Sequence, residues 1–347
     1  MKREEGYISM TNLHERLQFW WRAFRYHFVP PSIFPATLGA TIAWAVDQTF
    51  NLTIFFLVLF AVVINHLALN MTDDYYDYKH SVDQLQPGEK NPYTGGSRTL
   101  SSKQIKPQHM KTAFTICYTI TIIIGIYLTT TIGWPILIFG FIGILCSIFY
   151  TMPPIKISHH GLGELTQLIN FGNIIGLGSY YTQTQTITLE AFLATLPLGI
   201  MLFSMITINE IPDYQEDKQA GKLTLIARYD KKAGVKIYIT SWIITYTLII
   251  ITSTLQLITP IAIISLASIP LVYRSIKQLK QHYNNPIELA PANLDMIKAH
   301  SITSLGLIAA YTIQGVINGS NTQQLIIILI LLAIFYTPAI IPLLKKC

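Results

Sequence analysis

Charge is what this sequence has least of. Of its 347 residues only 12% are Asp, Glu, Lys or Arg, while 51% are hydrophobic, and the mean hydropathy is +0.42. A soluble globular chain carries about twice that charged fraction, so an ordinary soluble domain is excluded. Cysteine is scarce too. Cys117, Cys146 and Cys347 stand isolated, without C-x-x-C spacing, which excludes a disulfide framework and a thiolate metal site. There is no repeat of fixed period, and no basic patch interleaved with aromatics of the kind that binds nucleic acid. The N-terminus has no signal-peptide h-region. It is expected to stay on the cytoplasmic surface, with Trp20, Trp21 and Phe24 at the interface.

What the sequence does have is apolar runs of membrane length. A bilayer core needs about 20 apolar residues per helix, and ten such candidates occur: 29–48, 53–72, 112–131, 134–152, 162–181, 190–210, 234–255, 258–274, 298–317 and 323–343. Ile- and Thr-rich runs such as TITIIIGIYLTTTIGW favour strands by propensity. They are too long and too uniformly apolar for the alternating strands of a barrel. The expectation is an all-α, polytopic transmembrane helical bundle.

The basic residues test that count. With ten spans, all 24 Lys and Arg fall on the side that holds both termini, and the opposite connections hold none. Lys and Arg collect on the cytoplasmic side. The net charge of +6 therefore reads as topology and membrane-lipid contact. Two polar connections on that side are long, about 73–111 and 211–233. The expected organisation is an interfacial segment 1–28, a transmembrane domain 29–318 and an extra C-terminal span within 319–347.

Two acidic clusters occupy those long connections. In NMTDDYYDYKHSVD, residues 70–83, Asn70, Asp74 and Asp77 stand at i, i+4, i+7, with Asp73 adjacent and Asp83 at the end. In NEIPDYQEDKQAGKLTLIARYD, residues 209–230, Asn209, Asp213 and Asp217 stand at i, i+4, i+8, and Pro212 marks a place for a bend. Each set shares one face if the helix continues through it. Two such faces turned together make a cup of carboxylates at the membrane surface. Carboxylates so gathered repel unless cations bind them, and hard oxygen donors suit Mg2+, which usually takes one or two carboxylates plus substrate phosphates. Candidate phosphate-binding cations surround the clusters: Arg25, Lys79, Arg98, Lys156, Lys218, Lys222 and Arg228. Such a mouth fits a substrate with a diphosphate head and a hydrocarbon tail. The plainer reading, that an Asp or Lys just beyond a helix is merely solvated, suits Asp83 and Glu216 best. Asn65 and His66 are polar at membrane depth, as cavity lining or as an interhelical hydrogen bond. GGSRTL at 95–100 is an anion-binding turn or a plain one, and FYTMPPIK at 149–156 ends a span with Tyr150 and Lys156.

With these motifs the chain resembles the UbiA superfamily of intramembrane prenyltransferases over about residues 20–318. The segments that carry it are RYHFVPPSIFPATLGA, NMTDDYYDYKHSVD, GGSRTLSSKQI, FYTMPPIKISHHGLGELTQLINFG and NEIPDYQEDKQAGKLTLIARYD. Tyr26, Asp73, Glu210 and Leu223 stand where the family commonly has Pro, Asn, Asn and Arg. DYYDYKxxVD, GGSR and DxxxDxxAGKxTL look most like the 1,4-dihydroxy-2-naphthoate polyprenyltransferases of menaquinone synthesis. The family usually has nine helices, so the span at 323–343 is a departure.

The resemblance implies that Asn70, Asp74, Asp77, Asp213 and Asp217 hold Mg2+ on an allylic polyprenyl diphosphate, assisted by Asp73 and Asn209. It implies that Arg25, Lys79, Arg98, Lys156, Lys218, Lys222 and Arg228 stabilise the departing diphosphate, and that Tyr150 faces the allylic cation or packs. An aromatic acceptor would be prenylated: dihydroxynaphthoate, giving demethylmenaquinone, or another acceptor such as 4-hydroxybenzoate, homogentisate or a glycerol-phosphate lipid precursor. The rivals from other classes are an ion-coupled transporter and a non-catalytic membrane scaffold. A transporter would carry charge at mid-membrane and on both sides.

Overall fold

The computed structural model describes residues 13–82 and 91–344, and Asp83 and Cys347 lie outside them. Every one of the ten apolar segments is helical. The helices are α1 Leu13–Phe24, α2 Pro30–Val46, α3 Leu52–Lys79, α4 Pro107–Ile132, α5 Pro135–Ile148, α6 Gly163–Ile169, α7 Ile175–Thr184, α8 Leu189–Gln219, α9 Leu225–Arg228, α10 Lys231–Thr254, α11 Ile269–His282, α12 Ala290–Ile317 and α13 Thr322–Leu344. A π turn, Asn170–Ile174, joins α6 to α7, and a 3-10 stretch, Pro260–Ser268, leads into α11.

The count of spans differs from the sequence reading. Among the described residues seven helices are long and apolar enough to cross a membrane, or eight if the pair α1–α2, bent by 53°, is one span. The reasons are local. Helix α5 has 14 residues, and the segment 163–184 is interrupted by the π turn. A helix rises 1.5 Å per residue, so α5 alone reaches about two-thirds of a bilayer core.

Threonine, the residue that suggests strands, is accommodated inside the helices. In α4 the hydroxyls of Thr112, Thr115, Thr119, Thr121 and Thr129 each donate to the carbonyl four residues earlier. Each polar group is thus satisfied within its own helix, which an apolar solvent demands. Side-chain caps start the helices: Asn51 accepts from Ile54 N–H, Thr188 from Ala191 N–H and Asp230 from Ala233 N–H.

Helix α2 is the centre. Its side chains from Pro30 to Ala45 are all buried, whereas α4, α5, α10 and α13 expose rows such as Ile122, Ile123 and Ile126 or Ile326, Ile330 and Ile334. An outward apolar row is what a lipid-facing helix presents. Helices α7, α12, α3 and α13 pack around α2. Close approach needs glycine: a Cβ on Gly39 would lie 2.2 Å from the Gly176 carbonyl oxygen of α7. Helix α13 is joined to the first helices by Tyr26 Oη donating to Phe335 O and Trp44 Nε1 donating to Asn321 O.

Candidate active site

Helices α3 and α8 both run on past their apolar stretches, α3 to Lys79 and α8 unbroken through Pro212 to Gln219. Their polar ends meet at one cavity of about 190 Å³. Asn70, Asp73 and Asp77 line it from α3, and Asn209, Asp213 and Asp217 from α8. Spacings of i, i+3, i+7 and i, i+4, i+8 put each set on one helical face. Arg25, in the bend between α1 and α2, and Lys222, just beyond α8, complete the wall.

Two cations are set among these carboxylates. Arg25 Nη1 lies 3.1 Å from Asp73 Oδ2 and 3.3 Å from Asp74 Oδ1. Arg25 holds a left-handed backbone, φ 49°, a conformation that costs a non-glycine residue about 1–3 kcal/mol and gathers at functional sites. Lys222 Nζ lies 2.7 Å from Asp77 Oδ2 and ties the end of the second motif to the first. Burial alone would push the Lys222 ammonium down. Asp77, Asp73 and Asp217 outweigh it and hold the group well above the usual lysine range. His159 nearby is pushed down to about 4 by burial and by Lys222 and Lys156.

Asp74 is turned away from the cavity. It is 3% exposed, and both its oxygens accept from Ser97 N–H at 3.2 Å. Its role in the fold is to fasten the GGSR loop, so that Gly95 and Gly96 line the cavity. Asn70 Nδ2 donates to Phe24 O, which orients its amide. Asn209 Oδ1 accepts from Asn293 Nδ2 at 2.8 Å, and Asn293 Oδ1 accepts from Asn91 Nδ2 at 2.9 Å.

Among the described residues no three His, Cys, Asp or Glu side chains converge as they stand to hold a metal ion. The reason is visible: Asp73, Asp74 and Asp77 are drawn onto Arg25 and Lys222. The donor set nonetheless fits a hard divalent cation. It is all oxygen, it lines one cavity, and Asp73 Oδ1 is buried there with no hydrogen-bond partner.

The family model described as the UbiA prenyltransferase family matches residues 32–296, a stretch that contains both motifs. The chain belongs to the UbiA prenyltransferase family. A protein named 1,4-dihydroxy-2-naphthoate octaprenyltransferase from Bacillus subtilis is 24% identical over 85% of this chain and 93% of its own. A protein of the same name from Escherichia coli is 25% identical over 61% of this chain and 69% of its own. A UbiA homolog from Archaeoglobus fulgidus, solved bound to DMAPP and Mg2+, superposes with a TM-score of 0.63 at 13% identity, over 85% of this chain and 98% of its own. The protein is thus a multi-pass membrane prenyltransferase with the UbiA fold.

Within this UbiA member, the predicted cations divide. Only Arg25 and Lys222 of the seven line the cavity. Lys79 is exposed with its ammonium 4.9 Å from the Tyr75 ring centroid, and Lys218 is exposed and donates to Tyr214 Oη. Arg228 folds over Gly161 and donates to Leu223 O. Arg98 and Lys156 both hold left-handed backbones, φ 58° and 47°, and neither lines the cavity. Tyr150 does line the cavity. So does His66, bonded through Nδ1 to Ser32 Oγ, while Asn65 donates to Ser147 Oγ at 2.8 Å. Sequence reasoning missed Gln167 on α6, which lines the cavity, and left Glu210 as a mere departure, though it lines the cavity too. It also missed Asn293. Asn293 falls before the predicted span 298–317, and nothing in the local sequence marks it.

A second cavity of about 130 Å³ lies alongside, lined mainly by apolar side chains of α3, α4, α5 and α7. His66 and Phe171 line both cavities.

Proposed function

We propose that this prenyltransferase moves a polyprenyl group from an allylic polyprenyl diphosphate to an aromatic acceptor, and that the acceptor is 1,4-dihydroxy-2-naphthoate. One observation carries the reading. Two aspartate clusters from distant parts of the chain and two part-buried cations line one cavity, and an apolar cavity adjoins it at His66 and Phe171. An amphipathic donor fits that pair, its diphosphate at the charged end and its tail in the apolar cavity. The names of the Bacillus and Escherichia relatives support the naphthoate, and the Mg2+ bound in the Archaeoglobus homolog supports the metal.

Asp73, Asp77, Asp213 and Asp217, with Asn70 and Asn209, would hold Mg2+, which when bound would neutralise the diphosphate as a leaving group. The chain's own residues do the rest. Arg25 and Lys222 meet the charge that grows on the diphosphate as the allylic C–O bond breaks and its electron pair leaves with oxygen. Asp74 positions Arg25 and the GGSR loop. The Tyr150 ring faces the cavity where the allylic carbon gains positive charge. Phe28, Phe171 and Leu202 line the same space and exclude the water that would quench that carbon. A ring carbon of the acceptor then supplies the electron pair of the new C–C bond, and the ring becomes aromatic again by releasing what that carbon carried, a proton or, at the carboxylated carbon, carbon dioxide.

The one-sided distribution of Lys and Arg supports a plasma-membrane protein whose active site and both termini face the cytoplasm. Residues 29–318, with Arg25 from the segment before them, form the catalytic unit, and α13 is an added wall.

The test is purified full-length protein in detergent with Mg2+ and radiolabelled polyprenyl diphosphate. Dihydroxynaphthoate and 4-hydroxybenzoate are offered in parallel, with EDTA controls. Metal-dependent prenylation of the naphthoate alone is expected. Transfer to the other acid alone would replace the acceptor, and absence of both transfer and diphosphate release in folded protein would overturn the reading.

A further inference from the structure

The cavity has a wall that the diphosphate chemistry leaves unused. Helix α6 presents Glu164, Gln167 and, one turn on in the π turn, Phe171, spaced i, i+3, i+7 on one face. That face packs against α8. Glu164 is 1% exposed and accepts from Leu225 N–H at 2.8 Å. Glu210 of α8 lies against it. Gln167 is 3% exposed and Glu210 9%, and both line the cavity. Gln167 Oε1 is buried without any hydrogen-bond partner, whereas the Glu210 carboxyl is hydrogen-bonded to Glu164.

A buried polar oxygen left unpaired is costly, and native structures keep few of them. One on a cavity wall calls for a ligand. Gln167 Oε1 is an acceptor, so it does not suit a diphosphate oxygen, which is an acceptor too, nor a hydrocarbon tail. What complements it is a flat, largely apolar molecule with a hydroxyl donor at its edge, lying against Phe171 and Tyr150, which line the same cavity.

We infer that Gln167 holds a ring hydroxyl of the acceptor. This rests on the proposed transfer to an aromatic acceptor and adds to it the residue that selects a hydroxylated ring. The hydroxyl donates to Gln167 Oε1. The ring is thereby held beside Phe171, which lines both the polar cavity and the apolar one. The π turn that follows Gln167 widens the helix at that junction, a device that gathers at functional sites.

The experiment is a cycle between protein and ligand, on the full chain in detergent with Mg2+. Wild type and Gln167→Leu are assayed for the KM of each substrate. The two mono-O-methyl ethers of dihydroxynaphthoate are then measured as competitive inhibitors of transfer. Loss of one neutral hydrogen bond is worth up to about tenfold. Gln167→Leu is expected to raise the acceptor KM about tenfold, and to leave the prenyl diphosphate KM within about twofold. In wild type one ether binds about tenfold more weakly than the other; in Gln167→Leu that difference disappears. A merely structural Gln167 would move both KM values and leave the ether preference intact, and that result overturns the inference. So does an unchanged acceptor KM. A wild-type protein that transfers to no aromatic acceptor would instead sink the underlying reading, and the two failures are thereby told apart.

Discussion

The two adjoining cavities are built from the same helices by opposite chemistry. The polar one draws Asp73 and Asp77 from the last turns of α3, and the apolar one draws Val58, Ala61 and Val62 from the middle of that helix. In the first, charge is balanced by partners from distant chain segments, Arg25 and Lys222. In the second, polar groups such as Asn65 are quieted by an interhelical hydrogen bond to Ser147. The lesson is that one continuous helix can serve a charged headgroup and a hydrocarbon chain. It does so by changing its composition along its length, without changing fold.

The sharpest way to break the comparison is to strip charge from the polar cavity. Asp73→Ala or Asp217→Ala is expected to cut transfer by at least about a hundredfold, since one preorganised electrostatic contact is commonly worth that much. Circular dichroism and gel filtration should show the protein folded, and full activity in either variant would refute the metal-cup reading. Lys222→Met comes next. It leaves Asp77 buried beside an apolar chain, and removing one partner of such a pair destabilises by about 3–5 kcal/mol. Thermal unfolding in detergent should fall by several degrees, and diphosphate release should slow. A variant with wild-type melting would show that the pair is not buried in the working protein.

A third change acts on the apolar cavity alone. A Cβ on Gly125 or Gly140, both in its lining, meets nothing within 4 Å, so the space is open. Gly125→Leu should fill part of it and shift preference toward shorter prenyl diphosphates by roughly tenfold, from about 1–3 kcal/mol per lost methylene contact. Turnover of the shortest allylic donor should persist. Equal loss with all donors would mean that the tail lies elsewhere. The smallest effect belongs to Asn65→Leu, which makes the apolar cavity more uniform. Interhelical hydrogen bonds in membranes average about 0.6 kcal/mol, so melting should drop by only a degree or so, with transfer little changed.

The placing of the helices was legible because membrane-length apolar runs leave few alternatives. The meeting of Asn70, Asp77, Asn209, Asp213 and Asp217 was legible from helical spacing. The spacing i, i+4, i+7 favoured Asp74 for the shared face, and the structure puts Asp73 there instead. The two are about 100° apart and flank the face of Asn70 and Asp77, and the Ser97 N–H takes Asp74 away from the cavity. Nor were the cations. Lys79, Lys218 and Arg228 sit in the right segments, but Tyr75, Tyr214 and the Leu223 carbonyl take them. Local sequence says that a charge is near a site, and tertiary contacts say whether it reaches. The extra count of spans arose because hydropathy does not register the π turn at Asn170 or the shortness of α5.

The asparagine clasp has a consequence for how the molecule comes into being. Asn91, Asn209 and Asn293 join the loop after α3, the end of α8 and the start of α12 in one hydrogen-bonded chain. A ribosome delivers these three in order, the last of them long after both acidic motifs have left the exit tunnel. Until α12 is threaded into the bilayer, Asn209 has no clasp to orient it and the loop at Asn91 has no anchor. The nascent enzyme therefore carries both aspartate clusters while it is still unable to hold a substrate in register. It gains its working shape only once α12 is in place.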